Sequence, residues 1–177
     1  MSYEFQPLNA EHCPIIFEWL KQPHIAAFWQ DPTHYEDFKK KYLIEKPSRS
    51  VFGFMIRSEG EYLGYIQYYS AQKVGGGWWP EATEATYGID LMIGSPLNTS
   101  RGFGSKILKQ FLQEKSKELI LEHAPKFSSI EWIADPDPSN LIAIHCFEKV
   151  GLKNHGNVQT PYGEAVYMTL NSQSFTQ

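Results

Sequence analysis

Cysteine is scarce: Cys13 and Cys146 are the two in 177 residues. That excludes a disulfide-stapled scaffold, and neither sits in a spacing that would hold a structural metal. The chain also lacks any run of about eighteen apolar residues, and Met1-Ser2-Tyr3-Glu4-Phe5-Gln6 has neither the basic nor the apolar region of a signal peptide. Export and membrane insertion are not expected, and a reducing cytoplasm fits. Basic residues are in deficit, with 16 Lys and Arg against 20 Asp and Glu for a formal charge of −4. A nucleic-acid partner, which needs a basic face, is therefore not expected; a cationic small molecule suits the balance better. Low-complexity stretches and internal repeats are missing too.

What is present is a globular composition, 42% hydrophobic and 20% charged, in a length that suits one domain spanning 1–177. Tyr3 to Leu8 reads as an opening strand. Asn9 can cap a helix with Ile15, Ile16, Trp19 and Leu20 on its apolar face, ended by Pro23. A second helix is expected from about Thr33 to Glu45, closed by Pro47 and Ser48. Val51 to Ile56 and Tyr62 to Tyr69 form a hairpin around Ser58-Glu59-Gly60, and Thr86 to Ile93 makes the next strand. A helix then runs to at least Glu114, with a possible end at Glu122. Ser129 to Ala134 is a strand, Asn140 starts a helix that Gly151 stops, and Leu152 to Gly156 and Ala165 to Leu170 are the last strands. The order is β-α-α-β-β-β-α-β-α-β-β.

The organising stretch is Asn98-Thr99-Ser100-Arg101-Gly102-Phe103-Gly104-Ser105-Lys106, a glycine-bearing loop that enters the apolar-periodic run Ile107, Leu108, Phe111, Leu112. The first N–H groups of a helix lack intrahelical partners and the helix dipole adds positive charge there, so the loop reads as an anion cradle to which Arg101 and Lys106 can add full charge. A simple tight turn before an amphipathic helix is the alternative. Neither the P-loop spacing nor the dinucleotide Gly-x-Gly-x-x-Gly is written here.

Thr99-x-x-Gly102-x-Gly104 resembles the pyrophosphate loop of the Gcn5-related N-acetyltransferases (GNAT), with Thr99 where the family has Gln or Arg. The segment from Asn140 through Ala143 and Phe147 to Gly151-Leu152 resembles the same family's Asn-x-x-Ala-x-x-x-Tyr/Phe-x-x-x-Gly helix. From Tyr3 to Phe175 the chain is similar to the aminoglycoside 6′-N-acetyltransferases. Glu18-Trp19-Leu20, His24-Ile25, Gly77-Trp78-Trp79, Gly88-Ile89-Asp90, Asp135-Pro136-Asp137-Pro138-Ser139-Asn140 and Thr160 to Met168 carry that likeness.

The resemblance implies an α+β fold, a mixed and mostly antiparallel sheet flanked by helices. It implies acetyl-CoA as co-substrate, no metal, and a polycationic amine as acceptor, with the protein a monomer or a homodimer. Thr99 to Lys106 with Asn140, Ala143 and Phe147 would hold the coenzyme, and backbone N–H groups of Leu91, Met92 and Ile93 would polarise its thioester. Asp90 would bind the ammonium and accept its proton; a strand-end cap is its local alternative. Asp135 either touches the acceptor or only shapes an Asp-Pro turn. Trp29, Trp78 and Trp79 either wall the pocket or serve the core; for Trp79 the pocket is favoured, since a glycine-rich loop is a poor place to build a core.

Three departures stand out. Phe147 occupies the place of a tyrosine assigned to protonate the departing thiolate, and Gly76 and Tyr162 fall at acidic positions of the drug pocket. Two further readings stay open: an acyltransferase for a hydroxylysine-type acceptor in siderophore assembly, which a basic residue at the acceptor mouth would favour, and a coenzyme A binding module with weak or no catalysis. The six histidines show no metal spacing and read as surface or local hydrogen-bonding groups.

Overall fold

The computed structural model describes residues 2–48, 50–74, 79, 81–95 and 102–176. Its strands are β1 (Glu4–Pro7), β2 (Val51–Ser58), β3 (Glu61–Ser70), β4 (Thr86–Ile93), β5 (Glu131–Ala134), β6 (Lys153–Thr160) and β7 (Gly163–Asn171). They form one sheet in the order β1-β2-β3-β4-β5-β7-β6. Every neighbouring pair is antiparallel except β4 and β5, which run parallel. This is the mixed α+β architecture that the resemblance implied.

Period-two alternation sends side chains to two layers. Phe54, Ile56, Ile66, Ile89 and Trp132 pack beneath the long helix α5 (Phe103–Glu122) through Ile107, Leu108, Phe111 and Leu112. On the opposite face Met55, Tyr65 and Met92 meet α1 (Cys13–Trp19), α2 (Pro23–Ala26) and α3 (Tyr35–Lys40) through Cys13, Ile16, Ile25 and Phe38. Asp90 shares the Met92 face, so it looks toward the N-terminal helices and not toward α5.

Trp132 is fully buried, and its indole N–H donates to Ser116 Oγ at 2.8 Å while that hydroxyl donates to the Leu112 carbonyl at 2.6 Å. Ser116→Ala strands the indole donor without water, so a loss of about 1–3 kcal/mol is expected in urea unfolding. An unchanged midpoint would show that the bond contributes nothing net.

The N-terminal helices differ from the sequence expectation. Asn9 does cap, but a 3-10 turn at Ala10–His12 comes first, and His12 closes a capping box with it. Pro23 opens α2 instead of ending α1, because its ring suits the first helical position, where no N–H is needed. The second predicted helix starts at Tyr35, passes into a π-helical stretch at Lys41–Glu45 and ends in α4 (Lys46–Ser48), with Pro47 inside that last turn. At the other end, α6 (Leu141–Val150) is capped by the Asn140 side chain and stopped by Gly151 at φ 110°, where a residue with a Cβ would be strained.

Candidate active site

β4 and β5 are paired only from Thr86↔Glu131 to Gly88↔Ile133, and beyond that the parallel strands part. A cleft opens at their carboxyl ends, the usual ligand position at such a divergence. Because Gly94 N–H reaches the Leu63 carbonyl at 2.9 Å, strand alternation turns Met92 toward β3 and turns the Leu91 and Ile93 backbone groups to the open edge. The Ile93 carbonyl there is met by His24 Nε2 at 3.0 Å. Of the three residues assigned to the thioester, Leu91 and Ile93 therefore present backbone to the cleft and Met92 does not.

Two cavities share this cleft. One, of about 370 Å³, runs between α2, the open edge of β4, the first turn of α5 and α6. Gly102 precedes α5 at φ 76°, and among the described residues no side chain caps the helix, so its first N–H groups suit an anion. A Cβ on Gly104 would lie 3.2 Å from Cys146 Sγ, so glycine is what lets α5 and α6 approach here. Ser105 is buried and its hydroxyl donates to the Gly102 carbonyl at 3.2 Å. Burial raises the Cys146 thiol to about 11, so it lines the wall as a neutral group with no nucleophilic role.

The second cavity, of about 350 Å³, lies beside Asp90 and Asp135. Phe28, Trp29, Leu91, Asn140, Ala143 and Phe147 line both cavities and form their junction. Gln67 Nε2 donates to Asp90 Oδ2 at 2.7 Å, while its Oε1 accepts from Lys46 Nζ and Tyr65 OH, both at 2.9 Å. Two donors on one oxygen fix which way the amide faces. Asp31 is held by Lys41 Nζ at 2.6 Å and Tyr42 OH at 2.7 Å.

Burial raises the Asp90 carboxyl, opposed by the Gln67 hydrogen bond and by Lys46. A carboxylate so raised is a better proton acceptor for an ammonium. Asp135 is pushed up to about 8, first by burial and then by the Asp90 charge, so near neutrality it mostly holds its proton. The folded state thus keeps a proton that the unfolded chain releases near pH ~4. Stability is lost as pH rises from there through about 8. Asp135→Asn removes that cost, so its gain in Tm over the parent should grow across this window and level off above it. Thermal melts from pH 4 to 9 check this, and a gain independent of pH would contradict it.

Some predicted residues fall elsewhere. Thr99, Ser100, Arg101 and Trp78 lie outside the described residues. Phe103 packs on the core and Lys106 is exposed, and neither lines a cavity. Trp79 is buried against Ala71, Ile133 and Tyr167, stacking on the last ring at 5.3 Å, because the β5 and β7 faces leave an apolar hollow there. It is a core residue and not a wall of either cavity. Tyr162 stands 85% exposed in the β6–β7 turn, away from both cavities, because that turn projects past the sheet. Sequence reasoning missed Asp31, Lys41, Lys46 and Gln67. A polar Gln67 between Tyr65 and Tyr69 on one strand face was the available signal.

Seen together, the split between two parallel strands, the helix start beside it and the half-buried carboxylate in the smaller cavity define an acetyltransferase site. The chain belongs to the GNAT acetyltransferases: the model for the acetyltransferase (GNAT) domain matches residues 9–160. It is an N-acetyltransferase. It is 35% identical over 175 residues to aminoglycoside N(6′)-acetyltransferase type 1 of Klebsiella pneumoniae, covering 95% of this chain and 83% of that protein. The structure of AAC(6′)-Ib with paromomycin and acetyl-CoA superposes with a TM-score of 0.86 at 32% identity, covering 100% of this chain and 97% of the other. The complex of AAC(6′)-Ib with coenzyme A and kanamycin gives 0.84 at 33% identity, covering 99% and 98%.

Proposed function

We propose that this enzyme transfers the acetyl group of acetyl-CoA to a primary amine of an aminoglycoside. The observation that carries the reading is Asp90, half-buried in the wall of the smaller cavity next to Leu91 of the junction and oriented by Gln67. The larger cavity would take the acyl donor. The uncapped start of α5 suits its pyrophosphate, the apolar α6 wall with Asn140 and Ala143 suits its pantetheine arm, and the Leu91 and Ile93 backbone suits its thioester carbonyl. In the smaller cavity Asp90 binds the ammonium, accepts its proton and leaves a neutral amine to attack the carbonyl carbon. Collapse of the tetrahedral adduct breaks the C–S bond; Phe147 lines the junction and cannot donate a proton, so the departing thiolate, the conjugate base of a thiol comparable to a simple cysteine at ~8.5, takes its proton from water. A cytoplasmic monomer or homodimer suits this chemistry.

Lys41 and Lys46 in the acceptor cavity favour a second reading, in which the acceptor bears a carboxylate, as hydroxylysine does. Acetyl-CoA-dependent thiol release across aminoglycosides, polyamines and hydroxylysine tests both. Release with kanamycin supports the first, and release with hydroxylysine alone supports the second. Silence with every amine despite coenzyme binding points to a binding module without catalysis.

A further inference from the structure

The acceptor cavity contains a resident cation. Lys46 Nζ lies 3.4 Å from the Tyr42 ring centroid, with Trp29 and Tyr65 rings at 5.7 and 5.6 Å, and donates to Gln67 Oε1 at 2.9 Å. An ammonium has three N–H donors, and Gln67 takes one. The nearest other carboxylate, Asp31, already has one oxygen on Lys41 and the other on Tyr42. Among the described residues Lys46 Nζ has no other hydrogen-bond partner, so donors are left for whatever enters the cavity, and a single side-chain amide separates them from Asp90. Burial lowers Lys46 to about 7, against the pull of Asp31 and Asp90. Asp135 mostly holds its proton near neutrality and so adds little negative charge to balance an incoming ammonium.

We propose that Lys46 is a specificity-determining residue: it donates a hydrogen bond to an oxygen on the sugar that carries the reactive amine and excludes acceptors that place a second ammonium there. The inference rests on the aminoglycoside reading and names the part of that class the cavity takes. A hydroxyl across that sugar from the reactive amine accepts a hydrogen bond from Lys46, whereas an ammonium in its place meets a like charge in a half-buried site. Lys41 adds to the selection only through Asp31, which it neutralises.

Kanamycin A and kanamycin B differ in a hydroxyl or an amine on the sugar that carries the reactive amine, so they form the test pair. Their dissociation constants are measured by calorimetry at pH 6, where Lys46 holds its proton, with coenzyme A present, for the parent, Lys46→Met and Lys46→Arg proteins. The parent is expected to prefer the hydroxyl compound by tenfold or more, Lys46→Arg to keep the preference, and Lys46→Met to lose it. A ratio unchanged between the parent and Lys46→Met overturns this inference alone, because a merely structural lysine would weaken both ligands alike. Binding of neither ligand by the parent overturns it together with the proposed acceptor class. Should Lys46→Met fail to fold, Lys46→Gln keeps a hydrogen bond to Gln67 without the charge and makes the same comparison.

Discussion

The Asp90→Asn enzyme is expected to lose about 10²- to 10⁴-fold in kcat/KM for its amine acceptor, the usual range for removing a positioned general base. The substitution keeps the shape of the side chain. An amide oxygen can still accept from Gln67 Nε2, whose 2.7 Å bond holds the group in place, so the fold and the pocket walls should survive. What disappears is the charge that attracts the ammonium and the lone pair that takes its proton. The coenzyme cavity does not include Asp90, so affinity for coenzyme A should stay within about twofold by calorimetry. Steady-state thiol release measures the first quantity. Retention of more than a tenth of the parent kcat/KM would show that the amine is deprotonated before it binds, and would reduce Asp90 to an anchor.

The largest effect on folding is expected at Gly64, on β3 opposite Ile93. A Cβ there would stand 2.1 Å from the Met92 carbonyl oxygen, and the obstacle is backbone, with no rotamer to move aside. Gly64→Ala forces β3 and β4 apart, for a loss of about 3 kcal/mol or more by analogy with overpacked cores. In a chain of this size that corresponds to a fall in Tm of roughly 6–12 °C. The strain falls where Leu91 and Ile93 present backbone to the cleft, so coenzyme A binding should weaken with stability. By contrast, a Cβ on Gly60, in the hairpin turn, meets nothing within 4 Å. A scanning calorimetry trace that matches the parent would mean that the strands can separate there at little cost.

Much of this molecule is legible in its residues. The hairpin around Glu59 and Gly60, the span of β4 from Thr86 to Ile93, and the Asn140 cap and Gly151 stop of α6 follow from rules acting over a few residues. Alternation along β4 also sets Asp90 and Met92 on one face and Ile89 and Leu91 on the other. The carboxylate proposed to take the amine's proton was also visible in sequence, through the resemblance carried by Gly88-Ile89-Asp90.

What surrounds Asp90 was decided in three dimensions. In an α-helix, side chains five residues apart point well away from each other. The wide turn closed by the Lys46 N–H on the Lys41 carbonyl brings both lysines to the acceptor cavity, and no local propensity announces it. Gln67, Asp31 and Lys46 come from β3, the loop before α3 and the start of α4, so only packing puts them around one carboxylate. Trp79 makes the same point in reverse. The glycines before it mark a loop, but its burial was determined by an apolar hollow over Ile133 and Tyr167, distant in sequence, because burying a large ring favours whichever apolar surface the fold leaves open.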